Sequence, residues 1–147
     1  MKYKSNNVFA DFEFHDAYFK LENIKDDVLT ISVKHLNIHK STEFNPHNTD
    51  MEIELAKITF NNLQVKSFKL DKPQVVFDGK IAEQKSINEL TNGAMIYEFG
   101  TLENGNHYFD GTGVESWFQV RFLFDSATIE WDTFKKAAWY EEKPFKK

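Results

Sequence analysis

The chain has no cysteine and a single arginine among its 147 residues. Without cysteine there is no disulfide framework, no thiolate nucleophile and no Cys-based zinc site. Arg121, the one arginine, lies inside an apolar run. Arg is the usual bidentate reader of guanine and of phosphate, so its scarcity, together with a formal net charge of −5, argues against a nucleic-acid partner. Long hydrophobic runs are missing too, and the opening Met-Lys-Tyr-Lys-Ser-Asn-Asn is polar. Neither a signal peptide nor a membrane span is expected, and the cytoplasm is the expected compartment. Gly111-Thr112-Gly113 lacks the third glycine, the lysine and the following helix of a phosphate loop, and there is no Gly-x-Ser-x-Gly elbow.

Phenylalanine is what the chain has in plenty. Fifteen Phe, five Tyr and three Trp raise the aromatic share to 16%, and aromatic rings bury large areas and favour strands. With 41% hydrophobic and 28% charged residues, one folded domain spanning 1–147 is expected.

Alternation along the chain predicts a mainly β fold: an antiparallel, twisted sheet closed as a β-sandwich or open barrel, with at most one or two short helices. Residues 8–24 read as strand, break at His15-Asp16, strand. Val28–Lys40 reads as one long strand whose apolar side changes from Leu29, Ile31 and Val33 to Leu36 and Ile38, which predicts a β-bulge near Lys34-His35. Met51–Phe60 shows the same slip and predicts a second bulge around Ala56-Lys57. A strand over Leu63–Leu70 slips phase as well. Further expectations are a short strand at Gln74–Phe77, a short helix or loop over Lys80–Asn92 and a hairpin around Asn104-Gly105. Beyond these come a turn at Asp110–Gly113 and a central strand at Trp117–Phe124. From Asp132 two readings compete, a helix over 133–140 or a hairpin returning through Ala137–Glu141, and the hairpin is favoured.

Candidate chemistry is sparse. His15-Asp16 is an imidazole beside a carboxylate, the pairing that tunes a base near neutral pH. On an extended chain the two side chains would point to opposite faces, so a turn-forming Asp16 and a His15 bonded to backbone are the plainer expectation. His35, His39 and His47 have no ligand spacing; His35 and His39 would stand about 13 Å apart on a strand rising ~3.3 Å per residue. Glu52 and Glu54 alternate with Met51, Ile53 and Leu55, the pattern of a solvated strand face. Trp117, Trp131 and Trp139 offer stacking surfaces, although apolar alternation around them favours core packing. No catalytic residue, metal ligand or cofactor is assigned, and His15, Asp16, Trp131 and Trp139 are the candidate binding residues.

Phe14-His15-Asp16-Ala17 leading into a strand, with Ile129-Glu130-Trp131-Asp132 followed by Ala137-Ala138-Trp139-Tyr140-Glu141, resembles small bacterial β-rich proteins of uncharacterised families. Some of these sit beside polymorphic toxins as candidate immunity proteins. The resemblance implies a non-enzymatic bacterial protein that binds and blocks a protein partner, and it carries no site residues. The alternative expectation is a β-domain, with or without catalysis, that binds a small ligand or carbohydrate on a concave sheet face with Trp131 or Trp139 near His15. The first reading calls for no deep pocket and for an exposed acidic or apolar patch or strand edge, the second for a concave pocket with convergent polar groups and a shifted titratable residue.

Overall fold

The computed structural model describes residues 2–6, 9–71, 93–103, 105, 107–112 and 117–141. The expected strand at Gln74–Phe77 and the helix or loop over Lys80–Asn92 lie outside them. The fold is mainly β, and the described residues form thirteen strands in two antiparallel sheets: β1 (Tyr3–Asn6), β2 (Phe12–Glu13), β3 (Tyr18–Lys25), β4 (Val28–Lys34), β5 (Asn37–Ile38), β6 (Met51–Ile53), β7 (Ala56–Asn61), β8 (Gln64–Asp71), β9 (Ala94–Thr101), β10 (His107–Thr112), β11 (Trp117–Leu123), β12 (Ser126–Trp131) and β13 (Phe134–Ala137). Two 3-10 turns, Phe9–Asp11 and Trp139–Glu141, are the helical pieces among the described residues. The large sheet runs β1-β12-β7-β4-β3-β9-β10-β11-β8 and the small one β13-β6-β5-β2.

Strand alternation builds the core in rows, because residues opposite each other in an antiparallel pair share a face. Val33, Ala56 and Trp131 form one row, extended by Phe19 and Tyr3 at its ends. Ile31, Ile58 and Ile129 form the next, and Leu29, Phe60 and Ala127 the third. In the first and third rows the bulk of Trp131 and Phe60 is taken up beside an alanine, Ala56 and Ala127 respectively. Ser5 is the polar end of the Ile129 row, buried with its hydroxyl unpartnered.

The phase slips are corners between sheets rather than bulges inside strands. β4 leaves the large sheet at Lys34-His35 and re-enters the small one as β5; β6 and β7 are joined through Glu54-Leu55, and β12 and β13 through Asp132-Thr133. β2 and β3 are linked in the same way through His15-Asp16. The four crossings lie side by side, since β12, β7, β4 and β3 in the large sheet match β13, β6, β5 and β2 in the small one. Backbone bonds Ile53 N–H to Leu36 O (2.8 Å) and Glu54 N–H to Thr133 O (3.0 Å) zip the line of the bend. Each crossing places two residues between inward-facing apolar ones, Phe14/Ala17, Val33/Leu36, Ile53/Ala56 and Trp131/Phe134. A step of three reverses the pleat. Asp16 and His35 take positive φ (69° and 60°) at two of these steps.

The same step recurs where the large sheet folds over itself. Phe60 and Leu63 flank Asn61-Asn62 between β7 and β8, and Phe124 and Ala127 flank Asp125-Ser126 between β11 and β12. Asn62 has φ 55°, its side-chain amide donates to Asp125 (2.8 Å), and Asn61 donates to Ser126 (3.0 Å). The fold brings Phe60, Phe99, Phe109, Phe122 and Phe124 together with Phe9, Phe14 and Phe19, with ring centroids 4.5–6.4 Å apart.

Three sequence expectations change. Asp110-Gly111 is a register shift inside β10, not a turn; β10 runs on to Thr112. Trp117–Leu123 is the last strand but one rather than central, because it pairs with β10, which directly precedes it in the chain, and with the distant β8, which ends the sheet. Residues 134–137 do form a strand, but it pairs with β6 rather than returning on β12. The expected slip in Leu63–Leu70 appears as a register shift of β8 against β11 at Ser67/Val65.

Candidate functional site

β3 accompanies β9 for only two residue pairs, Tyr18 with Met95 and Phe19 with Ala94. The crossing then holds Ile96 through Asp16 N–H to Ile96 O and Ile96 N–H to Ala17 O (both 2.8 Å), and the chain turns away into β2. From Tyr97 to Thr101, β9 therefore has a strand on one side, β10, and a cleft on the other, among the described residues. The cleft has a volume of about 540 Å³. Its far wall is the Phe9–Asp11 turn and β2, itself the end strand of the small sheet.

His15 stands at the junction of the two walls. Its Nδ1 lies 2.9 Å from the Tyr97 carbonyl. A carbonyl can only accept, so Nδ1 carries the proton, and Nε2 of the neutral ring is left as an acceptor. The His15 backbone N–H donates to Glu13 Oε2 (3.1 Å). Across the cleft, Glu98 Oε1 accepts from the Tyr108 hydroxyl (2.7 Å), and this bond is the first cause of the raised Tyr108 pKa. Arg121 lies over the Tyr108 ring (5.1 Å) and 3.2 Å from Asp110, so the single arginine is spent on β10 and β11. Phe9, Phe14 and Phe99 supply the apolar lining, with Phe14 stacked on Phe99 at 4.5 Å. Thr101, also in the lining, has its hydroxyl 3.1 Å from His107 Nδ1. Burial lowers the His107 pKa, and its ring stacks on Phe124 at 4.3 Å. No carboxylate among the described residues bonds the other ring nitrogen, so the arrangement lacks the group that orients the base of a Thr–His–acid triad.

The four residues singled out from the sequence separate. His15 lines the cleft and Asp16 sits beside it, one carboxylate oxygen 3.6 Å from His15 Nε2. The expectation that the two side chains cannot meet fails because the chain is not extended there: the positive φ of Asp16 turns its carboxylate back toward the imidazole. Trp131 is 0% exposed, packed among Tyr3, Phe12, Phe44 and Phe134, with its indole N–H unpartnered. Trp139 is exposed on the second 3-10 turn, against Tyr140. Neither tryptophan lines the cleft.

A second polar cluster was not legible as a unit. Asp50, buried after the Ser41–Asp50 loop, accepts from His39 Nδ1 (2.8 Å), the Tyr140 hydroxyl (2.7 Å) and the Lys40 N–H (2.8 Å). Burial pushes the Asp50 carboxyl up, but the bonds from Tyr140, Lys40 and His39 outweigh it and leave the pKa below its ordinary value. Burial, and then the bond to Asp50, drive the Tyr140 phenol far above its ordinary value. Glu141 accepts from the Thr49 hydroxyl and the Asp50 N–H, which hold its pKa low. Tyr140 and Asp50 are 90 positions apart, and only pattern matching within a strand was open to the sequence. Glu52 corrects another expectation. It is 5% exposed rather than solvated, because the His35 ring (3.2 Å) and Lys135 (3.9 Å) lie over its carboxylate. Among the described residues no group of three or more His, Asp or Glu is placed to hold a metal ion.

No family model, curated protein or solved structure matches the chain. No helix among the described residues is long and apolar enough to cross a membrane.

Proposed function

We propose that the chain is a recognition domain without catalysis of its own, and that its binding site is the cleft between the 9–15 segment and Tyr97–Thr101. The observation that carries this reading is the composition of the walls. Phenylalanine rings line a concavity of ligand size, Glu13 and Glu98 stand on opposite sides, and no Lys or Arg is part of the described lining. One oxygen of each carboxylate takes no bond from a described residue, so each keeps acceptor capacity. Such walls favour a ligand with a cationic nitrogen attached to an apolar body.

A nitrogen-15 NMR titration tests this with three probes of one shape: 2-phenylethylammonium, 2-phenylethanol and phenylacetate. The ammonium compound is expected to shift the amides of Glu13–His15 and Tyr97–Thr101, the alcohol to do so more weakly and the carboxylate not at all. Glu98→Gln should weaken ammonium binding about tenfold, the equivalent of ~1.4 kcal/mol. Equal binding of the carboxylate, or shifts confined to other surfaces, would overturn the proposal.

A further inference from the structure

We infer that the occupant of this cleft is an extended stretch of a partner polypeptide, about four residues long with lysine or arginine at alternate positions, which joins the large sheet as a strand beside β9. The inference rests on the reading of the cleft as the binding site and names the class of ligand. Its starting point is what the walls are made of. One wall is the edge of β9 from Tyr97 onward, and the other is the edge of β2, so both present main chain as well as side chains. A strand edge carries a row of N–H and C=O groups whose natural complement is another strand.

The cleft also occupies a particular place in the sheet. β3 and the His15–Ala17 crossing pair with β9 as far as Ile96, and the chain then swings into the small sheet. The space beside Glu98–Thr101 is the position that a strand continuing straight on from β3 would fill. Four residues of β9 at ~3.3 Å each give a site about 13 Å long.

Side-chain direction sets the guest's pattern. Successive residues of β9 point to opposite faces, so Glu98 and Phe99 look to different sides of the sheet. Phe99 faces Phe9, Phe14 and Phe109, whereas Glu98 lies with Tyr108 on the other side. A residue opposite Phe99 must be apolar to enter that ring cluster. Its neighbour, on the Glu98 side, meets a carboxylate and is favoured when cationic. The charge of the lining and the net −5 of the chain act in the same direction.

The test uses the full chain and four probes: acetyl-Lys-Val-Lys-Val-amide, the same peptide N-methylated on its backbone, acetyl-Glu-Val-Glu-Val-amide and 2-phenylethylammonium. The lysine peptide is expected to bind at least tenfold tighter than the ammonium compound. In its saturated complex, those amides of Glu98–Thr101 not already bonded to β10 should exchange with deuterium at least tenfold more slowly. N-methylation should cost at least tenfold in affinity, and the glutamate peptide should not bind. If the ammonium compound shifts the cleft amides while the lysine peptide binds no tighter or gives no protection, strand addition is wrong and the cleft remains the binding site. If neither binds there, both proposals fall.

Discussion

At the scale of single residues, Asp50 joins three segments through one carboxylate. Its carboxylate ties the end of the Ser41–Asp50 loop to His39 and to the turn at Trp139–Glu141, and the Ala138 N–H donates to its backbone carbonyl (2.9 Å). Hydrogen bonds to a charged partner are worth about 1.5–3 kcal/mol each, so Tyr140→Phe should cost about that much in urea denaturation. The pH dependence follows from the depressed pKa. A carboxyl whose folded value lies below the unfolded ~3.9 stabilises the fold above that pH and loses its contribution as pH falls through the folded value. The stability gap between the natural chain and Asp50→Asn should therefore be full above about pH 5 and close below about pH 3.9. A gap constant from pH 7 to pH 2 would mean that the ionised carboxylate is not what holds the turn. His15, by contrast, was visible in the sequence as half of a polar pair. Its bond to the Tyr97 carbonyl was not, because that partner lies 82 positions away.

At the scale of elements, alternation marks the strands plainly but leaves their partners open. The alternations in β4, β7 and β12 predict strands, and those strands form with the inward faces expected of Leu29/Ile31/Val33, Ile58/Phe60 and Ile129/Trp131. The phase slips at 34–35 and 56–57 were equally plain, but alternation records only which face a residue takes, not which neighbour its strand pairs with. A bulge and a crossing between sheets leave the same mark in one strand. What distinguishes them is the recurrence of a three-residue step in Phe14/Ala17, Val33/Leu36, Ile53/Ala56 and Trp131/Phe134, which becomes meaningful once the four are seen to be neighbours. The corner at Asn61-Asn62 gives a direct check. Asn tolerates the left-handed conformation that Asn62 adopts, whereas a β-branched side chain is strained there by about 1–3 kcal/mol. Asn62→Val should lower the urea midpoint correspondingly with the slope unchanged, and Asn62→Gly should cost less, losing only the tie to Asp125. Equal losses for the two would place the energy in that tie and not in the backbone.

For the molecule as a whole, charge is the property that reaches furthest. A net −5 and an acidic cleft should speed the approach of a basic guest and make its binding sensitive to salt. Raising ionic strength from about 0.01 M to 0.15 M shortens the screening length from ~30 to ~8 Å, so association of the lysine peptide should slow several-fold while dissociation changes little. Stopped-flow measurements over that range separate the two rates. A salt-insensitive association rate would remove electrostatics from recognition and leave shape and main-chain pairing to explain it. The composition that disfavours nucleic acid thus suits a cationic partner, although nothing in it located the cleft. The cleft exists because β3 departs from β9 after two residue pairs, a matter of topology that no local pattern encodes.

The crossings have one more consequence, in time. β7 is flanked by β4, which precedes it in the chain, and by β12, which begins 65 positions after the corner at Asn61. At about 5–20 residues per second, a nascent chain that has already made β4 and β7 waits roughly 3–13 s for the strand that covers the open side of β7. During that wait Ile58 and Phe60 lie next to an unpaired edge. β1 waits longer, roughly 6–24 s, for its neighbour among the described strands is β12, whose Thr128 faces Asn6 from 122 positions further on. Most of the pairing that completes the fold joins distant segments, which makes for slow folding, and the growing chain is most open to aggregation before Ser126–Trp131 has emerged.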